Sequence, residues 1–239
     1  MTIHIALITD IHGNAPALQA ALSAIDAVPG IHHIYCLGDS VSIGPDVNEV
    51  LDMLRARPNL SMVRGNHEGY VLACRRGEPL PPEVGDGEAE HQRWIADRLT
   101  HSHAECLAAL PFQIDAEYEG VRIRFLHYPM NEANRFVSWR PELPRLEEHF
   151  AGAPVDVVCC GHFHEMEVQQ GAGRLYVNPR SLGCCHRPVA RYAILTLDAG
   201  QARVELGEAP YDNRAFLASY DILQVPERDF IRCIFHGVQ

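Results

Sequence analysis

Short apolar runs that end abruptly in polar residues recur along the chain and predict a covered sheet. Residues 3–9 are rich in β-branched side chains, and Asp10 and His12 follow them directly. The same pattern predicts strands at 33–37 and 60–63. Each of these strands delivers polar side chains at its carboxyl end, where open α/β sheets place their binding sites.

Helical spacing of apolar residues fills the stretches between these strands. Asn14 and Asp46 are predicted N-caps of the first two helices, with Pro16 near the start of the first. A further helix is predicted over about 88–110, stopped by Pro111. From residue 112 the pattern is mostly that of strands, predicted at 112–118, 121–126, 155–160, 174–178, 191–197 and 202–206, with short helices up to about 150 and over 213–223.

Length and composition indicate one domain that covers residues 1–239. A chain of 239 residues with 47% hydrophobic content is long enough for a large core. No apolar run approaches the roughly 20 residues of a membrane span, and no signal peptide is recognised, so we expect a cytoplasmic protein. Two pairs of adjacent cysteines, 159–160 and 184–185, argue against a disulfide framework and for reduced, mostly buried thiols.

The net charge of −11 changes the list of possible partners. Extended nucleic acid needs many phosphate contacts, and the largest basic cluster in this chain is Arg75-Arg76. A small phosphorylated substrate held by metal ions is compatible with an acidic protein. The sequence leaves the oligomeric state open.

Candidate chemistry lies in oxygen and imidazole side chains at the ends of five predicted strands. These seven candidate ligands are Asp10, His12, Asp39, Asn66, His127, His162 and His164. Donors of this kind, without thiolates, suit manganese, iron or zinc. Seven donors exceed what one tetrahedral zinc uses, whereas two octahedral ions that share a bridging carboxylate would occupy them all. The sequence therefore predicts two divalent metal ions.

The order of these blocks resembles the calcineurin-like metallophosphoesterase superfamily. Its five blocks read Asp-x-His, Gly-Asp, Gly-Asn-His-Asp/Glu, His and Gly-His-x-His, and this chain has them at residues 10–12, 38–39, 65–68, 127 and 161–164. Residues 44–50 and the Asn178-Pro179 element resemble the small bacterial and archaeal members grouped with diadenosine tetraphosphatases and phosphodiesterases. The blocks cover most of the chain.

The resemblance implies a fold and a set of roles. The fold is a four-layer α/β/β/α sandwich of two mixed sheets, with a dinuclear metal site at the sheet edge and cap elements at about 69–110 and 128–144. The resemblance implies one ion held by Asp10, His12 and His164, a second held by Asn66, His127 and His162, and Asp39 between them. His67 would be the general acid that protonates the leaving oxygen, although a histidine that only orients Asn66 fits the same position.

The resemblance also implies a metal-dependent phosphoesterase that cleaves phosphodiester or nucleotide-type bonds with a metal-bridging hydroxide. A Ser/Thr-type protein phosphatase or phosphomonoesterase is the first alternative, and a non-catalytic metal-bound nucleotide sensor is the second. Residues 40–44 lack the arginine with which protein phosphatases and symmetrical diadenosine tetraphosphatases grip phosphate. We therefore expect diester or pyrophosphate-linked substrates to be hydrolysed better than phosphoprotein.

Several residues around these blocks remain open from the sequence. Arg180 is a candidate phosphate ligand or a surface residue, and His186 is a candidate substrate contact. The aromatic residues of the 128–144 loop either stack on a base or pack the loop down. His101 and His103 mimic a metal-binding pair, but their helical spacing directs the two rings apart, so we expect both to be solvated.

Overall fold

The computed structural model describes residues 2–133, 135–165 and 168–238. Within these residues the strands are β1 (Ile3–Ile8), β2 (Ile31–Cys36), β3 (Leu60–Met62), β4 (Gln113–Tyr118), β5 (Val121–Leu126), β6 (Val157–Cys159), β7 (Gln169–Gln170), β8 (Leu175–Val177), β9 (Val189–Asp198) and β10 (Gln201–Pro210). The helices are α1 (Ala15–Asp26), α2 (Val47–Arg55), α3 (Asn66–Arg76), α4 (Asp86–Arg98), α5 (His101–Ala109), α6 (Leu143–His149), α7 (Arg214–Ile222) and α8 (Arg228–His236).

The strands form two mixed five-stranded sheets. In the first, the order is β10-β9-β1-β2-β3, with β1, β2 and β3 parallel and β9 antiparallel to β1. In the second, the order is β4-β5-β6-β8-β7, with β5, β6 and β8 parallel. Parallel strands bring their carboxyl ends to one edge of a sheet, and this edge carries the predicted ligands.

Alternating side chains build the four layers. Leu7 of β1 lies with Phe125 of β5 in the core between the two sheets. The next residue, Ile8, points to the opposite face and belongs to the core beneath the helices. On the outer face of the second sheet, Val158 shares a cluster with Leu146 of α6. The predicted four-layer α/β/β/α sandwich with two mixed sheets is therefore confirmed.

The structure differs from the predicted elements in three places. The single helix expected over 88–110 is two helices, because Leu99 is extended (φ −67°, ψ 127°) and the Thr100 hydroxyl accepts from the His103 backbone N–H to cap α5. Helix α8 and the two-residue strand β7 were not predicted. His103 is buried and bonded to Asn48 and Asp52, so the expectation of a solvated ring was wrong for His103, whereas His101 is exposed.

Other expectations from composition can be compared directly with the structure. All eight cysteines are free, and five of them are buried. No helix in the described ranges combines the length and hydropathy that a membrane crossing requires. Asn14 caps α1 by accepting from the Ala17 N–H (3.1 Å), as predicted, whereas Asp46 occupies the N-cap position of α2 without a side-chain capping bond.

Candidate metal centre

One end of the site is formed by Asp10 and His12, which follow β1, and by His164, which follows β6. The Nε2 atoms of His12 and His164 lie 3.1 Å apart. Asp10 Oδ1 lies 3.7 Å from His12 Nε2 and 3.5 Å from His164 Nε2. Because the three atoms converge on one point, we name this group the A end.

The opposite end combines His127, which follows β5, with Asn66 at the start of α3 and His162 after β6. Asn66 Oδ1 lies 3.0 Å from His127 Nε2 and 3.0 Å from His162 Nδ1. These three side chains form the B end of the site. Tyr128 is buried and stacks on the His162 ring at 4.9 Å between centroids, which restricts the position of that ring.

Asp39, directly after the second strand, lies between the two ends. Its Oδ2 atom is 3.1 Å from His127 Nε2 at the B end. Its carboxylate also belongs to a group with His12 and His67 in which the potential ligand atoms lie within 4.8 Å of one another. One carboxylate therefore contacts both ends, which is the position that a bridging ligand requires.

Backbone carbonyls determine which nitrogen of each anchored ring faces the site. His12 Nδ1 donates to the Val41 carbonyl (3.2 Å), and His127 Nδ1 donates to the Leu37 carbonyl (2.8 Å). A carbonyl can only accept, so the facing Nδ1 carries the hydrogen and Nε2 presents a lone pair to the site. In this tautomer a neutral His127 directs its lone pair at the oxygens of Asp39 and Asn66, an arrangement that a cation between them would stabilise.

The buried carboxylates give a second test of whether an ion fits. Asp10 Oδ1 is buried, and no hydrogen bond reaches it from the described residues. Its partner atom Oδ2 accepts from the His162 N–H (3.1 Å). An unbonded buried carboxylate oxygen is costly unless a positive charge faces it. The donor set and this orphaned oxygen together fit a divalent cation at the A end.

The protonation states of the site also suit metal ligands, which must be deprotonated. Burial lowers the pKa of His12 to about 3, helped by the neighbouring rings of His164 and His67. Burial likewise lowers the pKa of His162 to about 4. Burial alone would raise the pKa of Asp39, but the charges of His127 and His67 hold it well below its usual range.

His127 behaves in the opposite way. Burial would lower its pKa, but the charge and hydrogen bond of Asp39 raise it to about 9. The carboxylate that raises the pKa of His127 is therefore the one that would bind the same ion as His127.

Backbone conformation aims the ligands at one another. Four of the donor residues, Asp10, His12, Asp39 and His162, have left-handed φ values of 51°, 51°, 52° and 70°. Non-glycine residues adopt this region at a cost of about 1–3 kcal/mol each, and such strain concentrates at functional sites. Gly38 (φ 93°) precedes Asp39, and a Cβ there would lie 2.9 Å from His127 Nδ1. The loops therefore hold these donor residues in strained backbone conformations.

Glu68 ties two of these loops together. Its carboxylate accepts from the backbone N–H groups of Gly65 (2.7 Å), Asp39 (2.9 Å) and Ser40 (2.6 Å). Burial and the nearby Asp39 raise the pKa of Glu68 to about 7. The sequence places residue 68 only as the last member of the third block, so this link between the second and third blocks was missed.

His67 projects from the first turn of α3 toward the site. A side chain of α4, which belongs to the predicted cap, contacts its ring. Its Nδ1 atom lies 2.8 Å from Gln92 Nε2 of α4, and its Nε2 atom lies 4.0 Å from Asp39 Oδ2. The Ser42 hydroxyl donates to Gln92 Oε1 (2.6 Å), which orients the amide so that its N–H groups face the ring. Gln92 and Ser42 are buried. The ring nitrogen that accepts from Gln92 is Nδ1, so Nε2 carries the hydrogen and faces the site.

The site opens into a cavity of about 1020 Å³. Its wall includes residues 140–142 of the loop after β5, residues 184–187 before β9, and Ile234 and Phe235 of α8. Among the described residues, the stretch 69–110 contributes none of the lining, and it contacts site residues through Gln92 and through Tyr70, whose ring packs edge-on against that of His67 at 5.5 Å. That the elements at about 69–110 and 128–144 form a cap on a single domain stays a prediction.

The remaining candidates take different positions. His186 lines the cavity, and its Nε2 donates to the Ile234 carbonyl (2.9 Å). Arg180 has a left-handed φ of 69°, and its charge helps to lower the pKa of Glu208. The arginines named among the described cavity-lining residues are Arg140, Arg187 and Arg191. The assignment of Arg180 to phosphate binding stays a prediction.

The loop aromatics, for which the sequence left two roles open, pack inward. Tyr128 is buried, and its hydroxyl donates to the Trp139 carbonyl (2.9 Å). The Phe136 ring meets that of His127 edge-on at 5.6 Å. These contacts position ligand rings, while Phe163 and Phe235 are the aromatic rings in the cavity wall.

The family comparison agrees with this geometry. The sequence model of the calcineurin-like phosphoesterase superfamily domain matches residues 3–200. The uncharacterized protein MJ0912 of Methanocaldococcus jannaschii is 27% identical over 230 residues, which are 87% of this chain and 88% of that protein. The serine/threonine-protein phosphatase 2 of Escherichia coli is 25% identical over 201 residues, or 74% of this chain and 88% of that one.

A more local match and two solved structures add to this. The symmetrical bis(5'-nucleosyl)-tetraphosphatase of Erwinia tasmaniensis is 40% identical over 72 residues, 30% of this chain and 26% of that protein. The hypothetical protein PH1004 of Pyrococcus horikoshii superposes with a TM-score of 0.80 at 20% identity, covering 99% of each chain. A metallophosphoesterase of Sphaerobacter thermophilus superposes with a TM-score of 0.72 at 23% identity, covering 98% of this chain and 100% of that one. With its domain match over residues 3–200, the chain belongs to the calcineurin-like phosphoesterase superfamily.

Proposed function

We propose that the protein is a dinuclear metal-dependent phosphoesterase that hydrolyses phosphodiester or pyrophosphate-linked nucleotide substrates. The observation that carries the proposal is the convergence of seven oxygen and imidazole donors on two adjacent points, with the orphaned Asp10 Oδ1 aimed at one of them. Structural clusters of acids and histidines usually satisfy their buried oxygens within the protein. This one leaves an oxygen for a cation.

The donors divide between two ions. Asp10, His12 and His164 would hold the first, Asn66, His127 and His162 the second, and Asp39 would contact both. When bound, two such ions lower the pKa of water and neutralise the charge of an attacked phosphoryl group. Manganese, iron and zinc all suit a set of oxygen and imidazole ligands.

His67 supplies the proton that the leaving oxygen takes. Its Nε2–H faces the cavity, because Nδ1 accepts from the Gln92 amide. Gln92 and Ser42 keep the ring in this orientation before substrate arrives. A group fixed in place before the reaction contributes to catalysis without the entropic cost of ordering it.

The wall of the cavity supports a nucleotide-sized substrate. Its volume of about 1020 Å³ is at the upper end of typical small-ligand sites. Phe163 and Phe235 offer apolar ring surface, and Arg187 and Arg191, both paired with Glu208, place guanidinium groups in the wall for a second phosphate. The names of the tetraphosphatase relatives point to the same class of substrate.

A protein phosphatase is the second candidate, and the Escherichia coli relative favours it. Residues 40–44, where the resemblance leads us to look for a phosphate-gripping arginine, contain none, and Ile43 of this block lines the cavity. A phosphomonoester carries a second negative charge that such an arginine would bind. Ile43 therefore favours diester or pyrophosphate bonds over phosphoserine.

The test compares kcat/KM for a phosphodiester, a dinucleoside polyphosphate and a phosphoserine peptide under one manganese condition. We expect either of the first two to exceed the phosphopeptide. Arg180→Ala is assayed beside Arg191→Ala. Of these two arginines, Arg191 is the one that lines the cavity. A phosphopeptide advantage that Arg180→Ala abolishes would overturn the diester preference. Tight nucleotide binding without turnover of any substrate would instead indicate a non-catalytic sensor.

A further inference from the structure

A buried thiol lies beside the A end and takes no part in the proposed mechanism. The Cys184 Sγ and the ring nitrogens of His12 and His164 form a group in which potential ligand atoms lie within 4.8 Å of one another. Cys184 is 5% exposed and lines the cavity. The thiol therefore faces the same point as the two rings.

Hydrogen bonds hold the Cys184 loop against the strand end that carries Asp10 and His12. The Gly183 N–H donates to the Asp10 carbonyl (3.1 Å), and the Asn14 side chain donates to the Gly183 carbonyl (2.9 Å). The Ser181 hydroxyl donates to the Asp10 carbonyl (2.8 Å) and accepts from the Cys184 N–H (2.9 Å). The position of the thiol relative to the A end is thus fixed by the backbone on both sides.

The spacing of the other A-end atoms suits a four-coordinate ion. An ideal tetrahedron with metal–ligand bonds of about 2.1 Å has edges of about 3.4 Å. The three edges between Asp10 Oδ1, His12 Nε2 and His164 Nε2 measure 3.1, 3.5 and 3.7 Å. These three atoms form one face of such a tetrahedron, which leaves its fourth position to Cys184 or Asp39, and a five-coordinate ion would take both. Asp10 Oδ1 has no hydrogen bond from the described residues that would compete with an ion.

We propose that Cys184 is a thiolate ligand of the ion held by Asp10, His12 and His164, so that the A end selects a soft or borderline ion such as Zn²⁺, Co²⁺ or Fe²⁺ over Mn²⁺. This rests on the dinuclear centre of the proposed function. Sulfur ligands favour softer ions, whereas the B end offers only oxygen and imidazole donors. The two ends would therefore hold different metals.

Binding requires the thiol to lose its proton. The S–H bond breaks, sulfur donates the freed electron pair to the ion, and the proton leaves through the water-filled cavity, with no change of oxidation state. The charge of a bound cation drives this step, since a coordinating thiol is deprotonated outright.

Cys185 provides a matched control. It is also buried and lines the cavity, but it does not belong to the group around His12 and His164. Its sulfur accepts from the Arg187 N–H at 3.5 Å. Substituting serine at each position therefore makes the same chemical change one residue apart.

The experiment adds Co²⁺ to the metal-free full-length protein and records near-ultraviolet absorption, where sulfur-to-cobalt charge transfer appears. We expect a charge-transfer band that saturates at one equivalent while the protein binds two. Cys185→Ser keeps the band, and Cys184→Ser loses it yet still binds cobalt through the remaining donors. Circular dichroism and thermal unfolding establish that each variant is folded. The wild-type spectrum by itself tests whether any sulfur binds the cobalt.

Each other outcome overturns the thiolate ligand, the dinuclear centre or both. Two bound equivalents without a band, or a band that survives Cys184→Ser, would show that Cys184 only packs, and the dinuclear proposal would stand. A band lost in Cys185→Ser would identify Cys185 as the ligand and overturn the assignment to Cys184. A band with only one equivalent bound would support the thiolate and contradict the dinuclear centre. Failure to bind cobalt would overturn both.

Discussion

The residues at the sheet edge and the residues that surround them reach the site in different ways. The seven proposed ligands each follow a strand or start the helix next to it, and backbone carbonyls and left-handed turns hold them in place. Gln92 comes from α4, Phe235 from α8 and Cys184 from a loop that hydrogen bonds to the first strand end. The sheet edge holds the proposed metal ligands. The surrounding residues orient His67 and line the cavity.

This comparison predicts a ranking of effects. Changes at the sheet edge should remove the metal ions and most of the rate. Changes in the surrounding helices should leave the ions bound and act on the proton donor or on stability.

The largest loss is expected for Asp39→Asn. Because this carboxylate contacts both ends, the variant should bind less of both ions and lose at least ~10³-fold in kcat/KM. Metal analysis of protein dialysed under metal-replete conditions measures the first effect, and Glu142→Gln, a carboxylate change in the cavity wall, serves as control. One ion at full occupancy in the wild type would contradict the dinuclear site.

A smaller loss is expected for His67→Ala. This variant should keep both ions and lose roughly 10²-fold in turnover, the usual scale of a general acid. The loss should shrink for p-nitrophenyl esters, whose leaving group needs little protonation. His186→Ala removes another cavity-lining imidazole and should lack this dependence on the leaving group. Equal losses on good and poor leaving groups would favour the alternative role of His67, orientation of Asn66.

These two residues show how much of the site follows from the sequence. Asp39 and His67 lie within blocks whose donors sit directly after predicted strands, so local pattern and resemblance placed them correctly at one edge. The four-layer fold was implied by the family resemblance, and the alternation of strands and helices agreed with it. What the pattern cannot show is which distant side chain will lie behind His67. Gln92 is 25 positions away, and its amide would suit a solvated helix face equally well.

Other differences have physical causes of the same kind. The Thr100 cap divides a helix whose apolar repeat continues on both sides, so periodicity alone merged α4 and α5. Helix α8 has Ile231, Ile234 and Phe235 at helical spacing, so its pattern was present in the sequence and was missed. The signal for the buried Glu68 is its place at the third position of α3, where a carboxylate reaches back to the preceding amides.

Gln92→Met sharpens the comparison, because it changes the surrounding shell while touching no proposed ligand. Methionine fills a similar volume but cannot donate to His67 Nδ1, so the ring loses its fixed orientation. We expect about a tenfold loss for poor leaving groups with unchanged metal content, the lower end of the effect of residues behind a metal site. The double variant with His67→Ala should be no slower than His67→Ala alone. Additive losses would mean that Gln92 acts independently of His67.

The smallest effect on catalysis is expected at His236, which lies at the end of α8 and is 4% exposed. Its Nε2 lies 3.2 Å from the Tyr220 hydroxyl, its ring packs edge-on against Phe216, and His186 is the charged group that faces it. Burial, followed by the charge of His186, lowers its pKa to about 4. An unfolded histidine titrates near 6.5. Protonation of His236 is therefore coupled to unfolding.

Between these two pKa values the unfolded chain binds the extra proton, so the contribution of His236 to stability is complete above about pH 6.5 and is lost as pH falls toward 4. The full loss amounts to about 3 kcal/mol in the free energy of unfolding. Urea unfolding from pH 7.5 to 4.5 measures it. His236→Gln should flatten the acid slope relative to wild type, while His101→Gln, at an exposed position, should leave it unchanged. If both variants keep the wild-type slope, His236 does not couple α8 to pH, and the acid sensitivity comes from other groups such as the buried His91, whose pKa burial also lowers to about 4.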